Sequence, residues 1–466
     1  MQPPTGVGNV PVQLRMVTAA GDACVDSSNT LRFVVRPPPE ISAAEPLSGF
    51  QTGGAQVWVK GIGFAQSNAL ACRFGDAPAA VEFFGASEVK CTSPKVDADT
   101  LAAPIQLTLN GQQWFPPVAD APEFLYSRVP KPERLEPASA PVGVALKIAV
   151  SGDDLDGGTD YRCAFGPLET PAVWSAADGA VLCALPQQAD TGTLQFALSL
   201  NGIDFVATPL EFTRYARPTV SMVTPAAGAI VQESRLVLHG SGFGGGTSYT
   251  CRFDGAAVAA NLLDDERVSC VAPVKAAPTS LTVELSLNGV HFTTNGFGFT
   301  YFTASALEPQ AGPTNGGTEV LLSGANLEAG VASEYRCRFG SAADTVGTLV
   351  LRSNEQRVRC LSPPGTGAVA VSLAINAQKQ FDGALDFEYY PTAAVAALVP
   401  PSGPTGGGTA LVVKGFNFRD TPLLSCAVGG VKAAVSFLSA TELQCVTPQM
   451  PSGDAPLCVT LNGQPD

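Results

Sequence analysis

The sequence predicts an all-β chain, built as a tandem array of antiparallel β-sandwich domains. Three observations carry that reading. A cysteine-centred pattern returns five times at near-constant spacing, apolar residues around it alternate with a period of two, and Asn-Gly or Gly-rich turns punctuate the chain at intervals of about ten residues. Composition agrees. Hydrophobic residues make up 45%, enough for real cores, whereas charged residues are only 15% and Gly (48) and Pro (38) are abundant, which suits short strands joined by turns rather than long helices.

The repeat reads directly. CRFG at Cys72 returns as CAFG at Cys163, CRFD at Cys251, CRFG at Cys337 and CAVG at Cys426, and these cysteines lie 91, 88, 86 and 89 residues apart. A second cysteine opens C-x-x-P at Cys91, Cys183, Cys270, Cys360 and Cys445. An apolar strand precedes each pair, followed by a Gly turn with a bulky residue three positions on: Gly61 to Phe64, Gly152 to Leu155, Gly240 to Phe243, Gly324 to Leu327 and Gly415 to Phe418. After the pair comes LTLNG, LSLNG, LSLNG, LAINA or VTLNG. Asn-Gly between strands is a strong hairpin signal, since both residues tolerate positive φ. An aromatic follows the turn at Trp114, Phe205, Phe292 and Phe381, and an aromatic strand closes four units at Phe124, Phe212, Phe299 and Phe387.

This phase divides the chain into complete repeats at 36–126, 127–215, 216–302 and 303–390. A fifth, 391–466, is expected to be truncated, and 1–35 to be the C-terminal tail of an incomplete repeat. Junctions pass from a last strand to the next first strand with a few residues between, as in FTYFTASALEP, and Pro130, Pro218 and Pro391 should stiffen them.

Alternation places the cysteines. Leu70, Cys72 and Phe74 share a strand face, as do Tyr161, Cys163 and Phe165, Tyr249, Cys251 and Phe253, and Tyr335, Cys337 and Phe339. Val89 and Cys91 behave alike, with the equivalents in the other four units. Both thiols of each unit therefore face the core. The pattern favours a staple, worth about 3 kcal/mol for a loop of this length, and an oxidising compartment. Reduced thiols packed as small core residues stay open as the alternative. Zinc fits poorly, because no C-x-x-C occurs and two histidines cannot serve five sites. A redox pair would need exposed, electropositive surroundings. Cys24 and Cys458 are left over, read either as isolated core residues or as paired with sequence beyond this chain. The spacing of nineteen to twenty-three residues reads as too short for the inter-sheet bond of antibody domains.

Together with C-x-x-P and the F-x-Y close, the openings EPQAGPTNGGTEVLLSGANL and VPPSGPTGGGTALVVKGFNF resemble the IPT/TIG domains found in plexins, hepatocyte-growth-factor-type receptors and fibrocystin-like proteins. The second and third repeats open differently, with ASAPVGVAL and AAGAIVQES, and lack the Gly-Gly-Thr. The resemblance implies an immunoglobulin-like fold of the early-set type. It also implies, as in extracellular members, a disulfide within each domain: Cys72 with Cys91, Cys163 with Cys183, Cys251 with Cys270, Cys337 with Cys360, and Cys426 with Cys445.

Other residues carry less. Asp153, Asp154, Asp156 and Asp160 have the look of a calcium loop, but Thr159 stands where the loop needs Gly and no Glu closes it. Asp264, Asp265 and Glu266 read as a polar turn, and His239 and His291 as exposed and inert. Trp58, Trp114 and Trp174 do not recur at one position. No nucleophile elbow, P-loop or dinucleotide fingerprint appears, so no catalytic, cofactor-binding or metal residues are assigned and no enzyme or cofactor is expected. None of the fourteen Asn residues forms a glycosylation sequon. No run of about eighteen apolar residues marks a membrane span. A net charge of −14, without a Lys/Arg run, opposes a nucleic-acid partner. The expectation is a non-enzymatic extracellular or cell-surface segment for adhesion, protein binding or spacing, partnered by a protein ligand or by neighbouring repeats of a longer chain. The alternatives are an accessory spacer of a larger secreted enzyme and an intracellular DNA-binding or dimerising protein of the same family.

Overall fold

In the computed structural model, which describes residues 8–12, 31–330, 334–352, 355–379 and 385–464, the chain is all-β apart from two single turns of 3-10 helix. It divides into two compact units, Met1–Ala216 and Arg217–Asp466. Cys24 and Phe381 lie outside the described residues. Strands β1 (Gly8–Val12) and β2 (Leu31–Val35) form an antiparallel pair.

The first complete repeat shows the plan. It holds β3 (Glu40–Glu45), β4 (Ser48–Phe50), β5 (Gln56–Ile62), β6 (Ala71–Phe74), β7 (Ala77–Gly85), β8 (Glu88–Thr92), β9 (Ala102–Thr108) and β10 (Glu123–Ser127). Their hydrogen-bonded order is β3-β5-β8-β7-β6-β9-β10-β4. The path ends beside its own start, because β3 and β4 adjoin in sequence. Pro46 separates them: it has no N–H to continue the ladder, so the strand leaves β5 and restarts parallel to β10. Pro137, Pro225, Pro309 and Pro400 occupy the same place in the other repeats, a periodicity that sequence reading passed over. The second repeat has the identical strand order, although its opening departs from the pattern, and the third repeats it too.

The layers meet at β7. Its first residues pair with β6, with Ala79 opposite Cys72, and its later ones with β8, with Val81 opposite Cys91. In a flat sheet, strands flanking a middle strand stand about 9.5 Å apart. Yet the Cys72 and Cys91 α-carbons are 6.2 Å apart, so the sheet folds sharply along β7. The bond therefore joins opposite layers. The spacing is too short for the antibody-type bond, as expected from sequence, yet the link still crosses the core: one strand that changes sheets midway turns a short loop into a cross-core link. In the fourth repeat this strand is split into Thr345–Val346 and Thr348–Arg352, with Gly347 at the corner.

The glycine after the second apolar strand is also reassigned. Gly61 lies within β5, not in a turn, opposite Ile41 where β3 carries a bulge. A Cβ there would sit 1.9 Å from the Glu40 carbonyl oxygen and 2.8 Å from the Phe64 ring. Gly240 meets Thr219 and Phe243 in the same way. The glycine lets the first strand cross closely and lets the bulky residue fold beneath it; Phe64, Leu155, Phe243, Leu327 and Phe418 are all buried.

The junctions differ from expectation at one place. Phe297–Glu308 is a single unbroken strand, pairing with the third repeat through Phe297–Thr300 and with the fourth through Thr303–Glu308. No residues intervene, because FTYFTASALE holds neither proline nor a disruptive glycine at the crossing. Strands break at Pro130, Pro218 and Pro391 instead.

Gly240→Ala should destabilise its repeat by about 1–3 kcal/mol, since the added methyl overpacks a backbone carbonyl that cannot retreat. Calorimetric unfolding of the whole chain checks this: one transition should move down while the rest stay.

Candidate interaction surfaces

Each core is built around the same spine. The structure bonds Cys72 to Cys91, Cys163 to Cys183, Cys251 to Cys270, Cys337 to Cys360 and Cys426 to Cys445, with α-carbons 5.9–6.4 Å apart. All ten cysteines are buried. Two residues past the first cysteine, an aromatic meets the closing strand edge-on: Phe74 with Phe124 at 5.0 Å, Phe165 with Phe212 at 5.4 Å, Phe253 with Phe299 at 6.4 Å and Phe339 with Phe387 at 5.4 Å. In the fifth repeat Val428 takes the phenylalanine's place.

The C-x-x-P and F-x-Y motifs prove to be two sides of one contact. The Tyr389 hydroxyl donates to the Pro363 carbonyl at 2.8 Å, and Tyr301 donates likewise to Pro273. In the second repeat Arg214 stands where the tyrosine would be, and its guanidinium donates to the Pro186 carbonyl at 3.0 Å. Burial pushes the Tyr126 and Tyr301 phenols up to about 12.

The residues weighed from sequence scatter. The four aspartates do not converge: Asp154 faces Arg128 at 3.3 Å and Lys131 at 3.8 Å, while Asp160 faces Arg162 at 3.1 Å. Among the described residues no cluster of three or more His, Cys, Asp or Glu could hold a metal ion. Asp264 pairs with Arg267, and Asp265 accepts from the Gly244 amide. His239, in the strand Ser234–Ser241, and His291, in the loop after Asn288-Gly289, are half-buried rather than exposed. His239 Nε2 lies 2.7 Å from the Thr224 hydroxyl; His291 is held below the usual imidazole range, first by burial and then by Arg217. Cys458 is a free, exposed thiol on the outer face of Leu457–Thr460, not a core residue, because alternation turns it away from Leu457 and Val459.

One role was missed. The arginine after the first cysteine grips the aromatic that follows the hairpin. The Arg73 guanidinium lies 4.5 Å from the Trp114 ring centroid while donating to Gln106 Oε1, and Arg252 lies 4.0 Å from Phe292 while paired with Glu284. The recurrence of CRF was the available signal.

The Asn-Gly turns do more than reverse the chain. Gly111, Gly202, Gly289 and Gly463 have positive φ but their asparagines do not; only in the fourth repeat do both turn residues, Asn376 and Ala377, have it. The asparagine acts as a cap instead. Asn201 Oδ1 accepts from the Ile203 and Asp204 amides, and Asn288 Oδ1 from Val290 and His291. The amide nitrogen also serves the loop: Asn201 Nδ2 donates to Asp204 Oδ2 at 2.9 Å, and Asn288 Nδ2 lies 3.2 Å from His291 Nδ1. Asn201 Nδ2 donates to the Ser48 carbonyl of the preceding repeat at 2.8 Å, and the Ser48 hydroxyl lies 2.6 Å from Thr159. Asn462 Nδ2 donates to the Thr318 hydroxyl at 3.2 Å. Beside it, Gln464 makes a two-point clamp on the Glu319 backbone at 2.8 and 2.7 Å. In the fourth repeat Asn376 turns inward to Ala329, and the joint is apolar: Ala227, Ala229 and Phe302 lie in one buried cluster with Leu322 and Phe387.

These features define tandem immunoglobulin-like sandwiches with an internal staple that recurs in each repeat and a hairpin joint. The IPT/TIG domain description matches residues 39–119, 218–301, 303–389 and 393–466, and the chain belongs to that family. The second repeat, with its altered opening, falls outside the match. Mouse plexin-A2 is 29% identical over 163 residues, 32% of this chain; zebrafish plexin-A4 is 31% identical over 153 residues, 31% of this chain; and mouse fibrocystin-L is 23% identical over 433 residues, 91% of this chain. The chain spans only 8% of the length of each. Among solved structures, the full extracellular region of plexin A4 is similar over 91% of this chain and 48% of that one, at 14% identity and a TM-score of 0.30.

Tyr389→Phe should cost about 1 kcal/mol by orphaning the Pro363 carbonyl. Tyr126→Phe should be neutral or stabilising, because its hydroxyl is buried without a hydrogen-bond partner. Thermal unfolding of both variants distinguishes them. The folded Tyr126 and Tyr301 pKa values lie above the ordinary 10.0. Their contribution is therefore complete below about pH 10 and is lost as pH rises to about 12, so alkaline unfolding should start later in Tyr126→Phe.

Proposed function

We propose that the chain is a non-enzymatic segment of an extracellular or cell-surface protein, whose repeats serve in adhesion, protein binding or spacing. The observation that carries this is the five-fold cross-core disulfide, which belongs to an oxidising compartment. Family membership and likeness to plexins and fibrocystin-L support the same setting. We place the repeats at 36–126, 127–215, 216–302, 303–390 and 391–466. The carboxylates are paired off or dispersed. The net charge of −14 favours protein over nucleic acid as partner.

Intact mass with alkylation, before and after reduction, tests the reading. Protein from its native cells, alkylated in denaturant, should leave the ten core cysteines unlabelled until reduction, with Cys458 labelled at once. Ten thiols that react in denaturant without any reductant would overturn the extracellular assignment and favour an intracellular role.

A further inference from the structure

We infer that Asn295 is a site of spontaneous hydrolytic modification, at which the side-chain amide is lost and the third repeat loosened. The chain holds six Asn-Gly pairs, at Asn110, Asn201, Asn288, Asn295, Asn315 and Asn462. Each carries the same latent reaction, because a glycine amide nitrogen has no Cβ beside it to block its approach. That nitrogen attacks the asparagine Cγ, the bond from Cγ to Nδ2 breaks, and ammonia leaves with the glycine's amide proton. Water then opens the five-membered imide at one carbonyl or the other, giving aspartate or an isoaspartyl link. Water enters, ammonia departs, and nothing is oxidised or reduced.

The fold holds five of these pairs back. Asn201, Asn288 and Asn462 are buried, and each has both its oxygen and its nitrogen engaged. At Asn110 and Asn315 the attacking nitrogen is engaged instead: Gly111 donates to the Thr108 hydroxyl at 2.9 Å and Gly316 to the Pro313 carbonyl at 3.0 Å. Gly316 is also hemmed in, since a Cβ there would sit 2.5 Å from the Pro363 carbonyl carbon. Asn295 escapes these restraints. It and Gly296 are exposed, and the Gly296 amide donates to no partner among the described residues. One hydrogen bond holds the side chain, from Nδ2 to the Val220 carbonyl at 2.8 Å.

The reaction destroys that bond. Val220 stands at the bulge of the strand Thr219–Thr224, and a carboxylate has no proton to offer its carbonyl. An isoaspartyl link does more, adding a methylene to the main chain just before Phe297, which opens the strand Phe297–Glu308 opposite Val283. Nothing there can take up the extra length, because a Cβ on Gly296 would already sit 2.0 Å from Thr282 Cγ2. The damage therefore enters the strand that the third repeat shares with the fourth.

Ageing of the whole folded chain in mildly alkaline buffer, followed by peptide mapping in a tandem mass spectrometer, tests this. Elsewhere a hydrogen bond on the attacking nitrogen or burial of the amide must first be undone, so Asn295 should lose its amide at least about tenfold faster than any other Asn-Gly pair. In denaturant that lead should vanish, because the pairs then differ only in their flanking residues. Asn295→Asp should lower one unfolding transition of the chain, whereas Asn315→Asp, at an exposed side chain, should lower none. Another pair reacting first or equally fast, a lead that persists in denaturant, an Asn295→Asp chain that unfolds as the wild type does, or equal losses from both variants would overturn the inference.

Discussion

Everything in this chain depends on the fold of one strand across two sheets and the sulfur bridge that holds it there. Within each repeat the strand between the two cysteines pairs first with one layer and then with the other. Its flanking strands are thereby brought to 5.9–6.4 Å between α-carbons instead of lying side by side. Closing that corner removes loop entropy from the unfolded chain. It also decides where the remaining core residues stand, because the aromatic two places beyond the first cysteine is then aimed at the closing strand. A domain of about ninety residues has a thin core, and a covalent bond through its middle is how such a core tolerates the change of partner residues seen here: phenylalanine to valine at 428, tyrosine to arginine at 214.

The same economy governs the turns. At Asn201 the oxygen caps its own loop, while the nitrogen is shared between Asp204 of that loop and Ser48 of the neighbouring repeat. A structural cap thus doubles as an inter-repeat contact. Where the hairpin is Asn-Ala instead of Asn-Gly, both residues take positive φ, the amide turns inward, and the joint is made from apolar packing.

Much of this was legible in the residues. The period, the pairing of thiols on inward faces and the sandwich class follow from spacing and alternation, which are strong because a one-residue slip would expose Cys, Phe and Val together. The corner was not legible: nothing in nineteen residues of alternating sequence says that the middle strand changes sheet. Gly61 read as a turn because sequence shows a glycine's tolerance, not the carbonyl 1.9 Å from its absent Cβ. The proline series at 46, 137, 225, 309 and 400 was plain in the sequence and went unused. The partnering of C-x-x-P with F-x-Y spans 26 residues at Pro363 and Tyr389, a contact between motifs that only the closed sandwich brings together.

The unbroken run from Phe297 to Glu308 has a mechanical consequence. Elsewhere a proline interrupts the backbone between sandwiches, so tension can open one without tugging at the ladder of the next. Here one twelve-residue strand carries the third repeat's ladder on Phe297–Phe302 and the fourth's on Thr303–Glu308. A load pulling on the polypeptide would shear the two registers together, making the third and fourth sandwiches one element in bearing force where their neighbours bear it singly.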